Sequence, residues 1–248
     1  MKETFLNMVI GSKSMVKETI NLEKYCFIFD IDGTLLDLRK IWEKFYQQMY
    51  REKCGFTLTK TEIQSLFGPP ELEAHTALLK RRKMYSIKLA ATLVLYVGRN
   101  MPILLEKTNL KRFLLPGVLP FLHYLQKHKA TIAVYTGNLP SICHLLLGNS
   151  GLEPYFETVA CAAATTRSRD ETLQQVLGTL RQNGKLFSKS TILVLGDSVQ
   201  DIKTAKSIGV ISVGVATGHY SLKELREARP DILINNFSQY IKIVNKLY

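Results

Sequence analysis

Two short apolar runs in this chain each stop in a pair of aspartates, which narrows the folds open to it. Residues 25–29 read YCFIF and break into Asp30, Ile31, Asp32, Gly33 and Thr34. Residues 191–195 read TILVL and break into Gly196, Asp197, Ser198, Val199, Gln200 and Asp201. Short β-rich runs ending in acids and glycine are the pattern of parallel strands that deliver side chains to the carboxyl edge of a sheet. That edge is where open α/β sheets bind ligands. Anions gathered there repel and raise one another's pKa unless a cation joins them. A Mg²⁺ site beside a carboxylate nucleophile meets both conditions, and phosphoryl transfer is the chemistry expected of it.

The rest of the chain supplies the frame. From residue 119 onward, strand-like runs at 131–135, 158–163, 191–195, 211–215 and 232–234 alternate with helical patterns. Those patterns fall near 119–128, 141–147, 171–181, 200–207, 222–227 and 239–246. Strands separated by single helices imply βαβ crossovers and a mainly parallel sheet. Between the first strand and residue 119 no comparable strand run occurs. Helix-forming blocks fill that interval at 41–50, 61–66, 71–97 and 103–113, and Pro69-Pro70, Gly98 and Pro102 are expected to break them. The expected fold is therefore an α/β, Rossmann-like three-layer core with an inserted helical cap. Residues 1–37 would hold an N-terminal extension and the first strand, 38–114 the cap, and 115–248 the remainder of the core.

A chain of 248 residues with 46% hydrophobic content can bury a core of that size. Cys26, Cys54, Cys143 and Cys161 show no metal-ligand spacing, which fits a reduced, cytoplasmic compartment. The first twenty residues lack an uninterrupted apolar stretch, and the apolar run 89–98 is about half the length of a spanning helix. No membrane association is expected. The net charge of +12 is uneven, because residues 38–112 carry 15 Lys/Arg against 6 Glu and no Asp. Such a region is either a solvated helical face, a funnel for an anionic substrate, or a nucleic-acid surface.

Spacing assigns chemistry to particular residues. Residues two apart on a strand share a face, so Asp30 and Asp32 can reach one cleft. One can attack phosphorus while the other moves a proton on the leaving group or the water. Thr136, Gly137 and Asn138 follow the strand TIAVY, and a hydroxyl with exposed N–H groups at a strand-to-helix junction forms a phosphate cradle. Asp197 and Asp201, at a strand tip and the next helical turn, can face a cation. They can equally cap that helix. Mg²⁺ keeps several waters, so one or two direct carboxylates suffice.

FIFDIDGTLLD, YTGN and LGDSVQDIKTAKSIG resemble the first, second and fourth signature motifs of the haloacid dehalogenase superfamily, most closely its phosphoglycolate-phosphatase-like branch. The resemblance runs from about residue 25 to the end. It implies that Asp30 is the nucleophile forming an aspartyl-phosphate and Asp32 the general acid/base. Thr136 would bind phosphate, and Asp197 would hold Mg²⁺ with Asp30 and the carbonyl of residue 32. Asp201 would bind the metal or position its waters. The metal set is thus Asp30, Asp32, Asp197 and Asp201. The third motif departs from the family, since no Lys-Pro occurs between residues 160 and 190. Arg169, directly before a helix, is the expected replacement, with Arg167, Lys185 and Lys189 as alternatives. An arginine can hold a phosphate oxygen but does not titrate as lysine does.

The function these residues imply is a Mg²⁺-dependent phosphatase acting on a small phosphorylated metabolite, in a monomer or homodimer. The positive cap suggests a multiply anionic substrate. Of the basic run 80–83, at most two residues can face a cleft from a helix. The loop 67–70 is a candidate specificity element, while the five histidines show no paired ligand spacing. A phosphomutase would use the same groups. A basic nucleic-acid-binding protein on a retired scaffold is the rival from another class, and four intact aspartates argue against it.

Overall fold

The computed structural model describes residues 21–163 and 168–247. YCFIF contributes strand β1 (Cys26–Phe29), every residue of which is buried. It is joined by β2 (Thr131–Thr136), β3 (Thr158–Cys161), β4 (Ile192–Gly196), β5 (Ile211–Val215) and β6 (Ile232–Ile234). They form one sheet of order β3-β2-β1-β4-β5-β6, parallel throughout. The chain thus adds strands first on one side of β1 and then on the other, which opens a crevice at the carboxyl end of the central strands.

Helices α1 (Arg39–Cys54), α2 (Lys60–Gln64), α3 (Glu71–Arg81) and α4 (Ile87–Glu106) lie between β1 and β2, followed by α5 (Val118–Lys127). Helices α6 (Pro140–Ser150), α7 (Arg169–Gln182), α8 (Val199–Ile208), α9 (Leu222–Glu227) and α10 (Ile241–Lys246) complete the described chain. Alternate side chains of β1 enter different layers, as the two-residue period of a strand requires. Phe27 and Phe29 meet Phe121 of α5 edge-on at ring separations of 5.9 and 6.0 Å. Cys26 and Ile28 face a second cluster containing Leu173 and Val176 of α7 and Ala205 of α8. Helices cover both faces, which is why the strands read as continuous apolar runs.

Register sets the site. Phe29 pairs with Val134 of β2 and with Leu195 of β4. The chain therefore leaves all three strands at one level, and Asp30, Thr136 and Asp197 emerge at the same edge. The two ends of the helical insertion also run side by side. Leu36 and Leu114 form an antiparallel bridge, with Asp37 N–H donating to Phe113 O at 2.8 Å and Leu115 N–H to Leu35 O at 3.0 Å.

Within the insertion the structure corrects the expected breaks. Gly98 and Pro102 do not interrupt α4, which is continuous across both. Proline removes one helical hydrogen bond and crowds the carbonyl four residues back, here that of Gly98. Val97, Met101 and Leu105, all fully buried on one face, hold the helix together regardless. Gly98 serves the packing: a Cβ there would sit 3.2 Å from Leu139, beside the start of α6. The real break falls inside the block 71–97. Lys83 takes a left-handed φ of +57°, and Ser86 caps α4 by accepting from Leu89 N–H at 3.1 Å. Helix α4 is long and apolar enough, by length and composition, to cross a membrane, but Ala90, Leu93 and Val94 are also buried in the main core.

Candidate active site

Asp30 follows directly on β1 and is 6% exposed. Its N–H donates to Leu195 O at 2.9 Å, which ties it to β4. Its Oδ1 accepts from Arg169 Nη2 at 2.9 Å. Arg169 is the first residue of α7, 2% exposed, with its guanidinium 4.1 Å from the centre of the Tyr135 ring. The same Nη2 also contacts Asp201 Oδ1. One buried arginine thus bridges a carboxylate at the end of β1 and one in the first turn of α8. Lys185 and Lys189 lie elsewhere: Lys185 bonds Thr131 Oγ1 at the opposite edge of the sheet, and Lys189 packs near Gly209. Arg167 falls outside the described residues.

Asp197, 5% exposed, accepts from Thr34 Oγ1 at 3.4 Å and from His219 N–H at 3.3 Å. Two glycines make room for it. A Cβ on Gly33, whose φ is +78°, would lie 2.5 Å from Asp197 Oδ2, and one on Gly218 would overlap that oxygen outright. Asp201 is N3 of a capping box on α8: its Oδ2 accepts from Ser198 N–H at 3.1 Å and from Ser198 Oγ at 2.6 Å. Its Oδ1 takes Arg169 and the Tyr135 hydroxyl. The cap and the ligand-cluster readings of this residue therefore hold together, but both of its oxygens are already engaged.

Asp30, Asp197 and Asp201 each offer an oxygen within 4.8 Å of the others. Burial pushes the Asp30 carboxyl up to about 7 against the pull of Arg169, and the Asp201 and Asp32 charges add to the rise. Burial, with Asp30 and Asp201 beside it, holds Asp197 well above the usual carboxylate range. Among the described residues, Arg169 is the one cationic side chain lining the pocket, against five acids lining or adjoining it. A divalent cation fits this donor set, being all oxygen and short of positive charge.

The Asp32 side chain stands outside this cluster, so a metal contact from residue 32 would fall to its carbonyl, as the resemblance implies. Its Oδ1 accepts from Trp42 Nε1 of α1 at 2.7 Å and its Oδ2 from Asn138 Nδ2. Burial raises its pKa, and those two hydrogen bonds work against the rise. Thr136 Oγ1 in turn accepts from Asn138 N–H at 3.2 Å and Asn138 Nδ2 at 3.0 Å. Gly137 passes under the loop from the insertion, where a Cβ would meet Pro69 O at 3.1 Å and Gly68 O at 3.3 Å. The Thr136–Asn138 loop, the acid/base candidate and the insertion are thereby linked in one wall.

The enclosed space is small, about 40 Å³. That is room for a few waters and not for a whole metabolite. Two larger cavities, of about 480 and 570 Å³, centre on Lys185 and Phe187 and contain none of the four aspartates.

Residues 27–215 match the model of the haloacid dehalogenase-like hydrolases. The chain belongs to that family. Among curated relatives, it is 26% identical over 233 residues to the probable phosphatase IndB of Dickeya dadantii, covering 89% of this chain and 93% of that protein. It is 32% identical over 123 residues to a phosphoglycolate phosphatase of Agrobacterium fabrum, covering 50% and 51%. In fold it resembles β-phosphoglucomutase of Clostridium difficile, with a TM-score of 0.76 at 18% identity over 90% of this chain and 96% of that one. For this haloacid dehalogenase-like hydrolase, Asp30, Asp32, Thr136, Gly137, Asn138, Arg169 and Asp197, which line the cavity, were named as candidates from sequence. Trp42, Tyr46, Glu71, Tyr135 and Gly218 were not. Trp42 and Tyr46 stand four apart on α1 and stack at 5.2 Å, a spacing that looks the same for a plain core contact. Nothing local sets Glu71 apart from other acids in a helix's first turn.

Proposed function

We propose that this chain is a Mg²⁺-dependent phosphatase that hydrolyses a small phosphomonoester through an aspartyl-phosphate on Asp30. The observation that carries the reading is Asp30 held at the sheet edge between Arg169 and Asp197, with Asp32 across the same small cavity. Asp30 and Asp197 would hold Mg²⁺, while Asp201 fixes Arg169 and the start of α8. When bound, the ion polarises phosphoryl oxygens and screens the approach of one anion to another.

Asp30 attacks phosphorus in line, and Asp32 gives its proton to the departing alkoxide. Asp32 then takes a proton from water as that water attacks the aspartyl-phosphate. Its raised pKa suits the proton-donating half of that cycle. Arg169 and the Thr136–Asn138 loop hold the non-bridging oxygens. We propose that helices α1 to α4 work as a cap, which opens to admit substrate and closes to exclude bulk water.

The test is phosphate release from p-nitrophenyl phosphate with and without Mg²⁺, in the wild type and in Asp30→Asn. Mg²⁺-dependent release that Asp30→Asn abolishes supports the reading. Equal turnover by both proteins overturns it, and transfer to a second sugar hydroxyl in place of water marks a mutase.

A further inference from the structure

The basic excess of the insertion does not enter the site. Lys80, Arg81, Arg82 and Lys83 are exposed at the end of α3, where Arg82 pairs with Glu62 at 2.5 Å and Arg81 bonds Ser65. What the insertion presents to the cavity is Trp42, Tyr46, the loop 66–69 and Glu71, with no lysine or arginine among them. Glu71 is the charged group on that wall, and it is 8% exposed. It is the first residue of the 11-residue helix α3. Its Oε1 accepts from Tyr46 O–H at 2.8 Å. Its Oε2 lies 2.9 Å from His75 Nε2 but out of line for a hydrogen bond, so both atoms are buried without a hydrogen-bond partner. The other ring nitrogen of His75 is paired with Tyr50 O–H at 2.8 Å.

A buried carboxylate oxygen with no hydrogen bond is costly unless something donates to it. On the phosphatase reading, Asp30, Arg169 and the Thr136–Asn138 loop take the phosphoryl end of a substrate, which leaves the wall that carries Glu71 to its leaving group. We propose, resting on the phosphatase reading, that Glu71 selects a leaving group bearing a hydroxyl or ammonium donor and rejects one bearing a second negative charge. The substrate is then a phosphomonoester of an uncharged or cationic small alcohol, its carbon skeleton lying against the Trp42 and Tyr46 rings. A phosphorylated acid would bring its carboxylate against Glu71 with no lysine or arginine on that wall to offset it.

The test compares kcat/KM of the Mg²⁺-loaded full chain for phosphoethanolamine, glycerol 2-phosphate and 2-phosphoglycolate, in the wild type and in Glu71→Gln. The expected result is a wild-type preference of about tenfold or more for at least one donor-bearing ester over phosphoglycolate. Glu71→Gln keeps an oxygen for Tyr46 and narrows that preference about tenfold. Which donor-bearing ester is faster separates the hydroxyl from the ammonium source. A wild type that favours phosphoglycolate overturns the proposal whether or not the variant folds, and so does a preference that Glu71→Gln leaves unmoved. Turnover of p-nitrophenyl phosphate in that same wild type leaves the phosphatase reading standing. Its absence removes both.

Discussion

Trp42 Nε1 donates to Asp32 Oδ1 at 2.7 Å, so a helix of the insertion holds the acid/base candidate of the core in place. The indole is 2% exposed and its ring stacks on Tyr46, which leaves the N–H as the polar handle. Trp42→Phe keeps the stack and deletes the donor. We expect kcat to fall about tenfold or more, a fraction of what general acid/base catalysis contributes, with a smaller change in KM. Steady-state kinetics on p-nitrophenyl phosphate check this; unchanged kcat means the bond plays no part in positioning Asp32. Trp42 is also the sole tryptophan of the chain. Its emission should shift on binding vanadate with Mg²⁺, and Asp32→Asn should alter the emission of the free protein.

Gly218 leaves the space that Asp197 Oδ2 occupies. Gly218→Ala must displace that carboxylate. Groups that orient a metal ligand typically contribute about 10- to 100-fold in affinity, and Mg²⁺ activation should weaken by that order. Titrating activity against Mg²⁺ measures it, and an unchanged activation constant would rule out Asp197 as a direct ligand.

Arg169 is a buried cation between Asp30 and Asp201. Arg169→Ala leaves those carboxylates without their counter-charge, a change of the kind that costs about 3–5 kcal/mol. Urea denaturation should show that loss, and Mg²⁺ should restore more stability to the variant than it adds to the wild type. Equal Mg²⁺ effects on both proteins would separate the ion from the arginine's site.

Pro102 interrupts the hydrogen bonding of α4 without ending the helix. Pro102→Ala returns an N–H to the carbonyl of Gly98 and relieves crowding there. A gain of roughly 1–3 kcal/mol in unfolding free energy is expected, bounded by the usual penalty for proline within a helix. A loss of stability would mean that the helix is bent at this point to fit its neighbours.

Much of the core could be read from residues alone, because strand pattern and site chemistry coincide in it. The same apolar runs that form β1, β2 and β4 end in Asp30, Thr136 and Asp197, and their parallel register lines those ends up. Arg169 could be chosen over Lys185 and Lys189 from its place at the start of α7, since a helix start after a strand lies at the site edge. The insertion was less legible. Its α3–α4 break depends on Ser86 as a cap and on a left-handed Lys83, and neither interrupts the run of helix formers. The charge of its sequence misled as to its inner wall, because charge counts do not say which face of a helix is covered. Glu71 shows this: of six glutamates in a basic third of the chain, it is the one that is buried. Asp32 likewise needed Trp42 and Asn138, ten and 106 residues away, before its place outside the carboxylate cluster could be seen.

The bridge between Leu36 and Leu114 does more than bring the ends of the insertion together. The carbonyl of Leu36 also accepts from Gly33 N–H at 2.8 Å, and Leu36 forms a second bridge with Asp32. The end of the insertion and the turn that carries Asp32 therefore share a peptide. On the proposed reading of α1 to α4 as a cap and of Asp32 as the proton carrier, a swing at that end would turn the backbone beside Asp32. Admission of substrate and readiness for proton transfer would then be two readings of a single angular coordinate.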